Sequence, residues 1–408
     1  MKINKKLACL FTLFLGLNIM ACSQQAVQTP IVQNSSIQNL SENHYVFEEI
    51  SDYFQNGLVK VKVDGKYGFI DKTGKLVIPA KYKSASNFSE DLASVKLDNN
   101  KWGFINKKGE LVIPAQYDFA GGQFSNGLAH VAINHKWGYI DKSGKLVIPA
   151  KYDLIQDFHE DLAQVEIDKK YGFINKKGEL VIPAKYDWSS DFSNGLAKVK
   201  INGKWGFINK KGKMVVPAKY SEVRSFSNGL ARIQVFEKHE ITNEAGEQIV
   251  PSKYGFIDKT GKVVIPVKYD FAGKFVDNLS TVKINEKWGF INTKGELVIP
   301  AKYNYAYDFY EDLATVIING KSGYINKSGQ LVIPAKYDIA DNFSNGLAKV
   351  QINGKWGFIN KKGEMVVPAK YDYIGILSDD LILVKIHNKL GFIDKTGKMV
   401  FTFEKTQP

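Results

Sequence analysis

The chain has 408 residues, 44% of them apolar and 12% aromatic, which excludes a wholly disordered polymer. Two Cys over that length exclude a disulfide framework, and 55 Lys plus Arg against 42 Asp plus Glu give a basic chain of formal charge +13. Beyond Met20 no stretch is apolar for 18 residues, so no membrane-spanning helix is predicted after the N-terminus.

Lys2, Lys5 and Lys6 precede an apolar run from Leu7 to Leu17 that is too short to span a bilayer, the pattern of an export signal over residues 1–21. The segment Ile19-Met20-Ala21-Cys22 resembles a bacterial lipobox, with Ile19 where Leu is commoner. That resemblance implies that Cys22 becomes a lipidated N-terminus, and two or more acyl chains at roughly 0.8 kcal/mol per buried CH2 hold a protein on a membrane stably. The alternative is an ordinary secretory cleavage with Cys22 incidental. Ser23 resembles the residue found after the Cys in lipoproteins sent to an outer membrane, so the expected location is the cell envelope, and the outer membrane in a two-membrane bacterium. Residues 22–44, rich in Gln, Ser and Asn, form a lipidated Cys and tether with a reach of about 25 Å.

From residue 45 to 408 one unit repeats. An aromatic-Gly pair recurs at Tyr67, Trp102, Trp137, Tyr171, Trp205, Tyr254, Trp288 and Trp356, with Ser322-Gly323 and Leu390-Gly391 in phase. The steps are 34 or 35 residues, except one of 49 between Trp205 and Tyr254. Aligning residues 241–254 with 358–371 divides 49 into 34 plus 15 and places a degenerate half unit at 239–253, with His239-Glu240 at its decayed Trp-Gly position.

The Lys-Trp-Gly that heads blocks such as residues 355–372 resembles the WG-repeat (KWG) family of bacterial tandem-repeat proteins over most of the chain. The resemblance implies an all-β repeat body and supplies little about function.

Each unit is predicted to hold three short strands. Residues 348–352 alternate apolar and polar, Asn353-Gly354 is a hairpin turn, and residues 355–360 return as a second strand ending in a looser Asn-Lys-Lys-Gly turn. Strand three is residues 365–367, followed by Pro368. Ten of the 12 Pro occupy this one repeat position, which therefore belongs at a sheet edge. Trp102, Trp137, Trp205, Trp288 and Trp356 form the repeat core, buried between neighbouring units. Three strands in 34 residues and a half unit that a ring would tolerate poorly predict an open, curved, solenoid-like array of about ten β-meanders. A closed toroid or propeller-like ring is the alternative. In the last unit Phe401 replaces Pro, as in a capping repeat.

No catalytic motif, metal-ligand spacing or cofactor fingerprint appears, and neither enzyme activity nor a cofactor is expected. The acid pairs Glu90-Asp91, Glu160-Asp161, Glu311-Asp312 and Asp379-Asp380 fall where other units carry Asn-Gly, so they read as turn residues. Lys recurs before the aromatic-Gly pair, in the turn and before the Tyr. Lys101, Lys136, Lys204, Lys287 and Lys355, with Tyr307 and Tyr310, make the candidate ligand surface. Such stripes attract anionic polymers, or they blunt sheet edges. The predicted function is a membrane-anchored, non-catalytic binding scaffold for a cell-wall or anionic polysaccharide or a protein partner, with no nucleic acid expected. The alternatives are a glycan-active enzyme and a structural spacer.

Overall fold

The computed structural model describes residues 46–120, 123–236, 241–242, 248–249, 252–387 and 389–405, and these contain strands and turns and no helix. The export signal, Cys22 and the tether lie outside them. Ten consecutive units follow one another at residues 49–82, 84–117, 119–152, 154–186, 188–220, 222–269, 271–303, 305–337, 339–371 and 373–405, numbered here as blades 1 to 10.

Blade 9 shows how the sequence builds one. Its strands are Ile339–Ala340, Leu347–Ile352, Lys355–Asn360 and Met365–Tyr371, paired antiparallel in chain order. Along the second strand, Ala348 and Val350 are buried while their neighbours are not, the period of two that the sequence carries. Asn353 and Gly354 turn at φ 50° and 76°. At the next turn the Asn360 side chain accepts hydrogen bonds from the backbone N–H of Lys362 (3.0 Å) and Glu364 (3.1 Å). Strand four then bulges. Trp356 pairs with Tyr371 and Phe358 with Val367, so the fourth strand spends two extra residues there and carries its backbone across Gly357.

The prediction of three strands per unit is corrected to four. In most blades the missing strand has two residues, as at Ile339–Ala340, too short to display an alternation; where it is longer, at Leu154–His159, Tyr305–Tyr310 and Tyr373–Ser378, a register break interrupts the alternation. With two-residue turns, a four-stranded blade fits in 34 residues.

The prediction of an open array is also corrected: the ten blades close into a β-propeller. Ser378 Oγ donates to Phe54 O (2.5 Å) across the join of blades 10 and 1, as Ser89 does to Phe124 O (2.7 Å) between blades 2 and 3. Asp379 accepts from the Gly57 N–H at 2.7 Å, the contact that Glu160 makes with Gly195 at 3.1 Å. Val46–Phe47 adds a parallel strand to Met399–Lys405. Phe401 and Phe403 share a core with Phe54, Val59 and Ile70, so the final strand closes the ring and does not cap an open end.

Nor does the half unit interrupt the ring. Leu230–Phe236 pairs directly with Ser252–Asp258, so the extra residues are inserted in chain order between two strands of blade 6 that pair as in the other blades, most of which have a two-residue turn there. Within that excursion Ile241–Thr242 pairs with Gln248–Ile249, while His239 and Glu240 lie outside the described residues. The core is divided into ten layers, each shared by two successive blades.

Candidate ligand-binding face

The predicted Lys surface is engaged in joining blades. Lys101 Nζ reaches Asp118, at the corner that leads into the next blade, at 2.5 Å, and Lys136 pairs with Asp153 and Lys355 with Asp372 at the equivalent corners. The second oxygen of the same Asp accepts a backbone N–H from a hairpin turn of that next blade, as Asp372 does from His387 (2.6 Å). Each Tyr-Asp corner thus fastens strand three of one blade to a turn of the next. Lys204 meets Ser221 Oγ (3.2 Å) instead of an acid, and the residue in that place opposite Lys287 is Asn304, which accepts the Asn319 N–H at 3.2 Å. The Lys residues before the strand-four Tyr are exposed and lie over their own Tyr rings, Lys151 at 5.3 Å and Lys185 at 5.5 Å.

The acid pairs occupy two-residue turns at positive φ, with Glu160 at 49° and Asp161 at 71°, and their carboxylates bind neighbouring turns and Lys residues. Trp102 and Trp288 are buried, and Trp137, Trp205 and Trp356 are half-buried. Trp102 and Trp288 pack on the residue that opens the next blade, Trp102 on Phe119 (5.3 Å between centroids) and Trp288 on Tyr305 (4.4 Å), whereas Trp205 packs on Trp188, which opens its own blade (5.2 Å). Tyr307 and Tyr310 are 43% and 37% exposed, and Tyr307 stacks on Tyr305 at 4.8 Å.

Comparing the ten blades with one another shows where they differ. The second residue of strand two is a small or apolar residue and the fourth is Val or Ile throughout, both in the core. The third runs Lys60, Ser94, His130, Gln164, Lys198, Arg232, Thr281, Thr315, Lys349 and Leu383. In several blades this side chain reaches the next blade: Lys60 to Ala85 O (2.9 Å), Gln164 to Ser189 O (2.7 Å), His130 to Asp157 (3.2 Å) and Lys198 to Val223 O (3.3 Å), while Lys349 pairs with Asp341 of its own blade (3.1 Å). It also lies over the strand-three aromatic, with Lys198 Nζ 4.3 Å from the Trp205 ring and Lys349 Nζ 4.7 Å from that of Trp356. A varied polar group beside an aromatic ring therefore recurs around one face, at the seams between blades.

A cleft of about 650 Å³ opens on this face at the seam of blades 6 and 7, lined by Arg224, Arg232, Phe226, Phe271, Lys274 and Asp308 among others. Arg232 donates to Ala272 O and lies 5.0 Å from the Tyr254 ring and 5.3 Å from that of Phe271; burial pulls its pKa down. Asp308 accepts from Thr281 Oγ1 (3.1 Å), and burial pushes its carboxyl above the usual carboxylate range. Aromatic contacts continue the site through Tyr254, Phe271, Trp288, Tyr305 and Tyr307 at 5.5, 5.1, 4.4 and 4.8 Å. Elsewhere on the face, Asp157 is held below its usual range by the His130 hydrogen bond, and burial raises Asp191.

Of these groups the sequence reading singled out Tyr307 and Tyr310 and missed Arg224, Arg232, Lys274 and Asp308. A signal was present, since the two Arg are the chain's only ones and lie eight residues apart.

A family profile described as WG containing repeat matches ten segments, at residues 45–67, 67–102, 102–137, 137–171, 171–205, 205–236, 254–288, 288–321, 323–356 and 356–389. No curated protein matches the chain. Among solved structures, one titled as the crystal structure of the eukaryotic initiation factor is 12% identical, with 78% of this chain and 96% of that one covered at a TM-score of 0.47. PorZ of Porphyromonas gingivalis, titled an essential bacterial surface component of the type-IX secretion system, is 10% identical, with 89% and 53% covered at a TM-score of 0.26.

Proposed function

The chain belongs to the family of proteins built from WG-containing repeats, and on that premise we propose that its propeller is a non-catalytic binding scaffold of the cell envelope. In this reading Cys22 carries the lipid, residues 22–44 hold the ring off the membrane, and the seam face binds an anionic glycan of the wall or surface. In a two-membrane bacterium the membrane is the outer one.

The observation that carries the reading is the internal comparison. Positions that pack are repeated almost unchanged ten times, whereas the strand-two residue over the aromatic ranges from Lys and Arg through His, Gln and Thr to Leu. Ten copies under one packing requirement need no such range, and a surface that recognises an irregular ligand does. Aromatic rings with cations over them suit a ligand that pairs apolar ring faces with negative charge.

The test is retention of the full-length protein on immobilised acidic and neutral polysaccharides at graded salt. Binding to acidic polymer that weakens as salt rises is expected. Absence of binding at low salt, or equal retention on both polymers, would count against the glycan reading.

A further inference from the structure

We propose that the cleft between blades 6 and 7 is a carboxylate subsite that takes the acid group of a uronic-acid sugar. This rests on the glycan reading above and specifies where the charge is read.

Arg224 and Arg232 are the only two Arg among 55 basic residues, and both line this one cleft. The position that faces the strand-two residue across a seam is Asp157 in blade 4, Asp191 in blade 5 and Asp308 in blade 8, but Lys274 in blade 7. Where His130 pairs with an acid, Arg232 shares its cleft with a second cation at that position. Arg232 gives one N–H to the Ala272 carbonyl, and among the described residues no carboxylate stands within ion-pair distance of it, while Arg224 has only Glu222 at 3.9 Å. Glu222 and Asp308 act on Arg232 only from beyond ion-pair distance, and a half-buried guanidinium with no directly bonded acid gains from an anion whose carboxylate matches its planar fork with two parallel hydrogen bonds.

The rest of the cleft suits a sugar. The half-buried Phe271 lines it above the buried Phe226 and Phe275, and the exposed Tyr310 ring lies 5.9 Å from Lys274 Nζ, so that Phe271 and Tyr310 offer apolar surface to the C–H face of a pyranose. Asp308, anchored by Thr281, is placed to bond a ring hydroxyl. Gly273 keeps the floor open, because a Cβ there would lie 2.8 Å from Asp308 Oδ1 and 2.3 Å from Thr281 Oγ1.

The experiment titrates the full-length protein, at one fixed low salt, with oligogalacturonates and with the same oligomers fully methyl-esterified. Esterification is expected to weaken binding at least tenfold, and Arg232→Gln to weaken acidic binding by a similar factor. Lys274→Asp installs the residue that blades 4, 5 and 8 carry and gives Arg232 an internal counter-ion. It should abolish the preference for the acid while leaving the thermal midpoint unchanged or raised, which separates lost binding from lost folding. Acidic binding that ignores both substitutions would sink the subsite and leave the glycan reading standing. Failure of the wild type to bind any oligomer would sink both. Competition by inorganic phosphate as strong as by galacturonate would overturn the assignment to a carboxylate.

Discussion

Two glycines three residues apart in blade 5 show how differently one residue type is used. Gly203 sits at φ +75° in a hairpin turn with nothing within 4 Å of where a Cβ would be. Gly206, of the Trp-Gly pair, has negative φ, but a Cβ there would lie 2.5 Å from Val216 O and 2.7 Å from Ala218 N, backbone atoms that cannot swing aside. Gly203→Ala is therefore expected to cost about 1 kcal/mol of left-handed strain. Gly206→Ala must push the bulged fourth strand off the third, which costs about 3 kcal/mol or more. Chemical denaturation of the two variants checks the ranking, and equal losses would contradict the crossing described here. The sequence displayed Gly206 and its equivalents as the most regular feature of the chain but not their reason, since the crossing is a property of the folded bulge and leaves no local pattern.

The Tyr-Asp corner is the element that ties one blade to the next, and its charge sets the acid limit of the fold. The Asp153, Asp187, Asp338 and Asp372 carboxyls lie below their usual range, first through hydrogen bonds from Lys136, Lys170, Lys321 and Lys355. A carboxyl whose folded pKa is depressed stabilises the fold at every pH above its unfolded value, and that contribution is lost as pH falls through the folded value. The thermal midpoint should thus hold from neutrality to about pH 5 and fall below about pH 4, the ordinary Asp range. Asp308 and Asp191, raised by burial, act in the opposite sense and soften the loss. A steady decline beginning near pH 7 would contradict this account. Asn304 supplies the natural defect, since it holds the Asn319 N–H but brings no charge toward Lys287. Asn304→Asp should give a small rise in midpoint at neutral pH that vanishes below about pH 4, the modest gain of an exposed ion pair. The Lys ladder was visible in the sequence, and its partners were not, because each Asp lies 17 residues further on, at the corner leading into the next blade.

At the scale of the molecule, three of the four strands of the repeat and its edge Pro were legible, because alternation, Asn-Gly turns and Pro act locally. Closure was not, because it depends on how ten small rotations add up, and no residue records a sum. Nor was the cleft, whose cations come from strand two of one blade and the opening of the next. Closure makes a prediction that an open array does not. The Phe401 ring lies against the Gly74 turn, 2.8 Å from where a Cβ there would be, and shares its core layer with Val59, Val61 and Ile70. Phe401→Ala should cost about 3 to 5 kcal/mol and leave a void bordered by both ends of the chain. In hydrogen exchange read by mass spectrometry, protection should fall together in residues 58–71 and 381–394, more than 300 positions apart, with blades 4 to 6 little changed. An open array would lose protection in the last unit alone, because its first unit would have no neighbour there to lose. Loss confined to residues 381–405 would therefore separate blade 10 from blade 1 and undo the ring.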